Sequence, residues 1–117
     1  MAASTPTRLI SGALGQLTAS TATYYTTPVN KRTIISRLVL CNTTGTARTV
    51  DLYLVPSGGS ATAANQILTA EPVAASTSYI VSEAERQVLE SGGTIQASAD
   101  AASAVTIIGS GSEVVTG

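Results

Sequence analysis

Side chains able to do chemistry are scarce in this sequence, and their types exclude most reactions. There is no histidine. The commonest general base is therefore missing, and neither a Ser–His–Asp relay nor a Cys–His pair can be assembled. The single cysteine, Cys41, excludes an internal disulfide and leaves no Cys/His set for zinc. Seven carboxylates remain: Asp51, Glu71, Glu83, Glu85, Glu90, Asp100 and Glu113. Two carboxylates suffice for a glycosidase. Glu83, Glu85 and Glu90 do cluster along the chain, but Arg86 stands among them, and a solvated charged face accounts for the group. No calcium loop of the D-x-D-x-D-G type occurs. The run Gly109–Ser112 follows a strand-like segment without opening a helix, so it is neither a phosphate loop nor a dinucleotide fingerprint. These residues imply a protein that is not an enzyme and takes no cofactor or metal.

Binding chemistry is equally restricted. Six basic and seven acidic residues leave a net charge of −1, and no stretch is basic enough to follow a phosphate backbone, so nucleic acid is not an expected partner. No apolar run is long enough to span a bilayer, and the first residues lack the regions of a signal peptide; synthesis and first folding in a cytoplasm are expected. The only aromatic residues are Tyr24, Tyr25, Tyr53 and Tyr79. Rings of this kind stack on sugars. Adjacent Tyr24 and Tyr25 on a strand point to opposite faces, and a half-buried strand tyrosine reads first as packing.

The elements that position these residues are read as strands. The central stretch is Thr33–Pro56, two β-branched and aliphatic runs around a polar Asn42–Thr46 link, expected to be a hairpin. Val50, Leu52 and Leu54 alternate with Asp51, Tyr53 and Val55, and Leu38 and Leu40 alternate with Arg37, Val39 and Cys41. The second face, with Val39, Cys41, Tyr53 and Val55, is too apolar for open solvent. It predicts a sheet covered on both sides, by a second sheet or another subunit.

Further strands are expected at Leu9–Leu14, Gln16–Tyr25, Gln66–Ala70, Ser78–Val81, Thr94–Ser98 and Ala104–Ile108, with Gly109–Ser112 ending the last. Ser82–Leu89 is expected to be a short helix, with Ser82 and Glu85 spaced as a capping box. Ser57–Asn65 reads as a flexible polar loop, and residues 1–7 as a flexible N-terminal arm before a domain over residues 8–117. The length suits one domain. Seven to nine short strands with one short helix predict an all-β single sandwich, jelly-roll or immunoglobulin-like. Its core, drawn from Val, Ile, Leu and Ala, buries little area per residue at about 25 cal/mol per Å², which favours stabilisation by assembly.

Two stretches, NTTGTARTVDLYLVPSGGSATAANQI and SYIVSE followed by RQVLESGGTIQASADAASAVTIIGSGSEV, resemble small β-sandwich virion structural proteins of tailed bacteriophages. The likeness spans roughly residues 30 to 115; residues 1 to 29 do not share it. It implies a virion protein made in a host bacterial cytoplasm, foremost a capsid decoration (cement) protein that stabilises the head lattice. Such a protein associates with itself, a trimer being the expected order, and with the major capsid protein or other virion proteins. A neck, tail or fibre-anchoring role is the nearest alternative, and a carbohydrate-binding adhesion module is the alternative of another class. The interface expected from these considerations comprises Val39, Cys41, Tyr53, Val55, Tyr24 and Tyr25.

Overall fold

The computed structural model describes residues 4–10 and 15–116. Among these residues lie nine strands: β1 (Ser4–Ile10), β2 (Ala22–Thr26), β3 (Lys31–Asn42), β4 (Arg48–Val55), β5 (Gln66–Val73), β6 (Ser78–Ile80), β7 (Val88–Leu89), β8 (Thr94–Ala99) and β9 (Val105–Val115). They form two antiparallel sheets. One has the order β1-β9-β3-β6, with β7 also on β3; the other has the order β2-β8-β4-β5. The pairing is nested, β1 with β9, β2 with β8, β3 with β6 and β7, and β4 with β5. A long antiparallel ribbon wrapped into two sheets in this way is a jelly roll.

Alternation builds the core. In β8, Ile95, Ala97 and Ala99 turn inward while Thr94, Gln96 and Ser98 turn out. Leu38 and Leu40 on β3 and Ile107 on β9 meet Val50 and Leu52 on β4, all fully buried in one aliphatic cluster. Apolar surface shared between the inner faces of two sheets holds such a sandwich together.

The central stretch is therefore not a hairpin. β3 and β4 belong to different sheets, and the Asn42–Arg48 link carries the chain from one layer to the other. Their apolar faces, each too large to leave exposed, meet across the core rather than side by side. Asn42 secures the crossing. It is fully buried, and its Nδ2 donates to the carbonyls of Thr46 (2.8 Å) and Val73 (3.0 Å). Its Oδ1 accepts from Thr44 N (3.0 Å) and Thr44 Oγ1 (2.7 Å).

The expected helix over Ser82–Leu89 is also replaced. Only Ser82–Ala84 turns, as a single 3-10 turn; Arg86 then adopts a left-handed φ of 68° and the chain straightens into β7. A bulge in β3 between Ile35 and Arg37 explains why. There the Ile35 carbonyl accepts from Arg86 N (2.7 Å) and Ile35 N donates to the Gln87 carbonyl (2.9 Å), so the segment spends its backbone groups on β3 rather than on itself.

Residues 4–7, expected to be part of a loose arm, pair with β9 in β1; residues 1–3, and residues 11–14 of the strand expected at Leu9–Leu14, lie outside the described residues. The strand expected from Gln16 begins only at Ala22. The expected loop Ser57–Asn65 closes with a 3-10 turn at Ala63–Asn65. Gly109–Ser112 does not end a strand: β9 runs through it to Val115.

Candidate interaction surface

The two outer faces of the sandwich differ in chemistry. Across the β2-β8-β4-β5 sheet, a cross-strand row reads Thr23, Gln96, Tyr53, Gln66, and the next reads Ser98, Asp51. That face is polar. Across the other sheet, Ile80 pairs with Val39, which pairs with Ile108, and Val88 pairs with Ile34. Ile80 is 48% exposed, Val88 46%, Ile108 44% and Ile34 36%. Four of the six large hydrophobic residues exposed among the described residues thus share one face. Between the two apolar rows lies a polar one, Arg8, Ser110 and Arg37, with Arg37 Nε 3.3 Å from Glu85 Oε2. At the margin Arg32 Nε approaches Glu90 Oε1 at 3.0 Å.

The expected interface residues are divided by this arrangement. Val39 and Cys41 lie on the apolar outer face, Cys41 half-buried beside Thr106 and Ser78. Tyr53 lies on the polar outer face. Val55, in register with Thr94, is buried outside the main core cluster. Tyr24 and Tyr25 do not split between faces as simple alternation requires. The register shifts between Thr23 and Tyr25, so Tyr24 is the extra residue of a bulge, and both rings pack against the core.

Four residues of the apolar face, Ile34, Ile80, Val88 and Ile108, were not anticipated. Each stands beside a buried aliphatic neighbour, Ile35, Val81, Leu89 and Ile107 respectively. Side chains alternate along a strand, so an aliphatic doublet must send one member outward. These four doublets are the signal in the sequence that could have located the face.

A separate cluster of titratable groups, Tyr25, Lys31 and Glu113, lies at one end of the sandwich. Glu113 of β9 turns inward and receives the Tyr25 hydroxyl of the opposite sheet at 2.6 Å and Lys31 Nζ at 3.4 Å. Tyr25 has one proton to give and gives it to the carboxylate, so the Thr33 hydroxyl, 2.7 Å away, donates to Tyr25. The group ties the two sheets together. Burial of the phenol, and then its bond to Glu113, push the Tyr25 pKa up from 10.0 to about 12. The folded state therefore favours the neutral phenol. That stabilisation is complete below pH 10 and is lost as pH rises from 10 to about 12. Over this window the melting temperature is expected to fall less steeply in Tyr25→Phe than in the wild type. The difference corresponds to about 1 kcal/mol once solvent screening of a part-exposed side chain is allowed for. Parallel alkaline melting curves for the two proteins would contradict the bond between Tyr25 and Glu113.

A cleft of about 270 Å³ lies between the end of β4 and β7, lined by Leu54, Pro56, Val88 and Leu89 with Glu90 at its side. It is below the usual size of a ligand pocket and brings no second acid or base to Glu90. The feature that distinguishes the molecule is therefore its uncovered apolar face. Comparison with known proteins finds no matching family model, no matching curated protein and no matching solved structure.

Proposed function

We propose that the chain is a non-enzymatic structural protein of a bacteriophage particle, a decoration protein that associates with itself and lies on the head lattice. The observation that carries this reading is the difference between its two outer faces, one crossed by apolar rows and the other polar. A plate with one apolar side is suited to being covered by protein, and its benefit to a lattice would come through mass action. The jelly-roll wrapping supports the reading by analogy, since viral capsid domains commonly use it. Three of the four tyrosines give the glycan-binding alternative little support. Tyr24 accepts from Thr18 N at 3.1 Å through its hydroxyl, Tyr25 is held by Glu113, and Tyr79 packs inward.

The test is co-sedimentation of the purified chain with empty heads of tailed phages stripped of their own decoration. Binding that saturates in proportion to head surface and raises the temperature at which heads rupture is the expected result. Binding of a few copies at one vertex would move the protein to the neck or tail. Failure to bind heads, together with retention on a glycan array that is abolished by Tyr24→Ala and Tyr25→Ala, would replace the reading with adhesion.

A further inference from the structure

We propose that the outer face of the β1-β9-β3-β6 sheet is where two copies of this chain pack against each other, face to face about a two-fold axis, with Val39 in the middle of one of its two apolar rows. The inference gives a surface and a symmetry to the self-association in the reading above, and it rests on that reading only for its setting.

Three observations select a second copy as the occupant. The first is area. β3 has 12 residues and β9 has 11. β1 has 7 residues, and the far side of β3 carries only β6 with 3 and β7 with 2, so at about 3.3 Å per residue and 4.8 Å per strand the face measures roughly 550 Å². Two such faces bury about 1,100 Å² in total, above the roughly 1,000 Å² that a specific interface needs and at the small end of the range.

The second is charge. Arg8, Arg32 and Arg37 share the face with Glu85 and Glu90. A strongly acidic or basic partner finds no matching field there. A copy related by a two-fold brings the same charges, with Arg32 already paired to Glu90 and Arg37 to Glu85 within each chain, and so meets little like-charge repulsion.

The third is side-chain type. None of the four tyrosines projects from this face: Tyr24, Tyr25 and Tyr53 belong to the other sheet, and Tyr79, in register with Leu40, packs inward. A sugar or an unstacked base has no ring to lie on. Ile34, Val39, Ile80, Val88 and Ile108 are stiff aliphatics that interdigitate well between facing sheets about 10 Å apart. Contact of a face with itself closes at two copies, so the order is a dimer rather than the trimer expected from the sequence.

The test is light scattering of the full chain across about 1–100 μM, the range that reveals a micromolar dissociation constant. The expected mass is twice 11.7 kDa. Val39→Asp buries two unpaired carboxylates within the contact, one from each copy. It is expected to return the mass to that of one chain, weakening association at least about a hundredfold, with far-UV circular dichroism unchanged. If Val39→Asp loses its fold, Ile80→Asp at the more exposed end of the same row is read instead and is expected to give the same monomer. Ser98→Asp on the opposite face is expected to remain dimeric. A wild-type monomer throughout the range would overturn the proposal, as would an oligomer whose mass the folded Val39→Asp or Ile80→Asp variant leaves intact. A dimer broken by Val39→Asp that nevertheless ignores phage heads would keep this inference and remove the virion reading.

Discussion

Replacing Asn42 with alanine is expected to lower the unfolding free energy by about 3 kcal/mol, a fall of roughly 12 °C in melting temperature for a domain of this size. The cause is not lost apolar area. The amide satisfies two backbone carbonyls and accepts two bonds from Thr44, all at a fully buried position where the chain changes sheet. Alanine leaves the Val73 carbonyl without its side-chain donor and frees the crossing from its only side-chain tie to β5. Unsatisfied buried polar groups cost about 1–3 kcal/mol each. Asn42→Asp keeps the shape but presents a carboxylate to two carbonyl oxygens, and is expected to cost more than alanine at neutral pH. Thermal melts of both variants check this. A loss below about 1 kcal/mol for alanine would mean that the crossing is held by core packing alone.

The second large effect is expected at Gly111. A Cβ built there would lie 2.2 Å from the Ile34 carbonyl oxygen and 3.2 Å from Ile35 Cα, both backbone atoms of the strand alongside. No side-chain rotation relieves that contact; β9 and β3 must move apart next to the β3 bulge, breaking ladder bonds on either side. Gly111→Ala is expected to cost about 3 kcal/mol or more, as strained core substitutions do. Gly109 provides an internal comparison. Its added Cβ would meet Leu38 Cδ2 at 2.5 Å, the far end of a flexible side chain, so Gly109→Ala is expected to cost about 1–2 kcal/mol. Ser110→Ala, at an exposed position between them, is expected to be near neutral. Equal losses at Gly109 and Gly111 would contradict the close backbone approach of β9 to β3.

Much of the sandwich was legible from alternation alone. The alternation that buries Leu38 and Leu40 on β3 and Val50 and Leu52 on β4 was the one expected, and so was the second apolar face of β3. Connectivity was not legible. Asn42–Thr46 has the residues of a tight turn, but a turn between two apolar runs looks the same whether the runs pair edge to edge or face each other across a core. Only the long-range partners, β9 for β3 and β8 for β4, decide between these. The helix at Ser82–Leu89 was a local reading overridden by the bulge at Ile35–Arg37, which supplied better partners for the same backbone groups. Gly109–Ser112 read as a terminator because glycine and serine weaken strands in isolation, whereas here their small size admits β9 beside the bulged β3. The apolar surface was half visible: Val39 and Cys41 stood out by alternation, but Ile34, Ile80, Val88 and Ile108 were hidden inside doublets whose outward members could be told apart only once the register was known. Tyr53 and Val55 were grouped with Val39 because the hairpin reading placed them on one sheet.

The nested pairing also governs the order in which a ribosome can deliver a finished domain. Ser4 pairs with Val114, so β1 emerges well before the strand that receives it. At about 5–20 residues per second, this interval is roughly 5–20 s. β4 and β5 can join as soon as both have left the exit tunnel, and each later pair encloses the one before. The sheet that carries the apolar outer face is the last to close, because β9 is the strand shared by β1 and β3. Until β9 has emerged, a nascent chain therefore cannot present the complete face to a neighbouring chain. Self-association through this face, as proposed above, thus waits on that non-local closure.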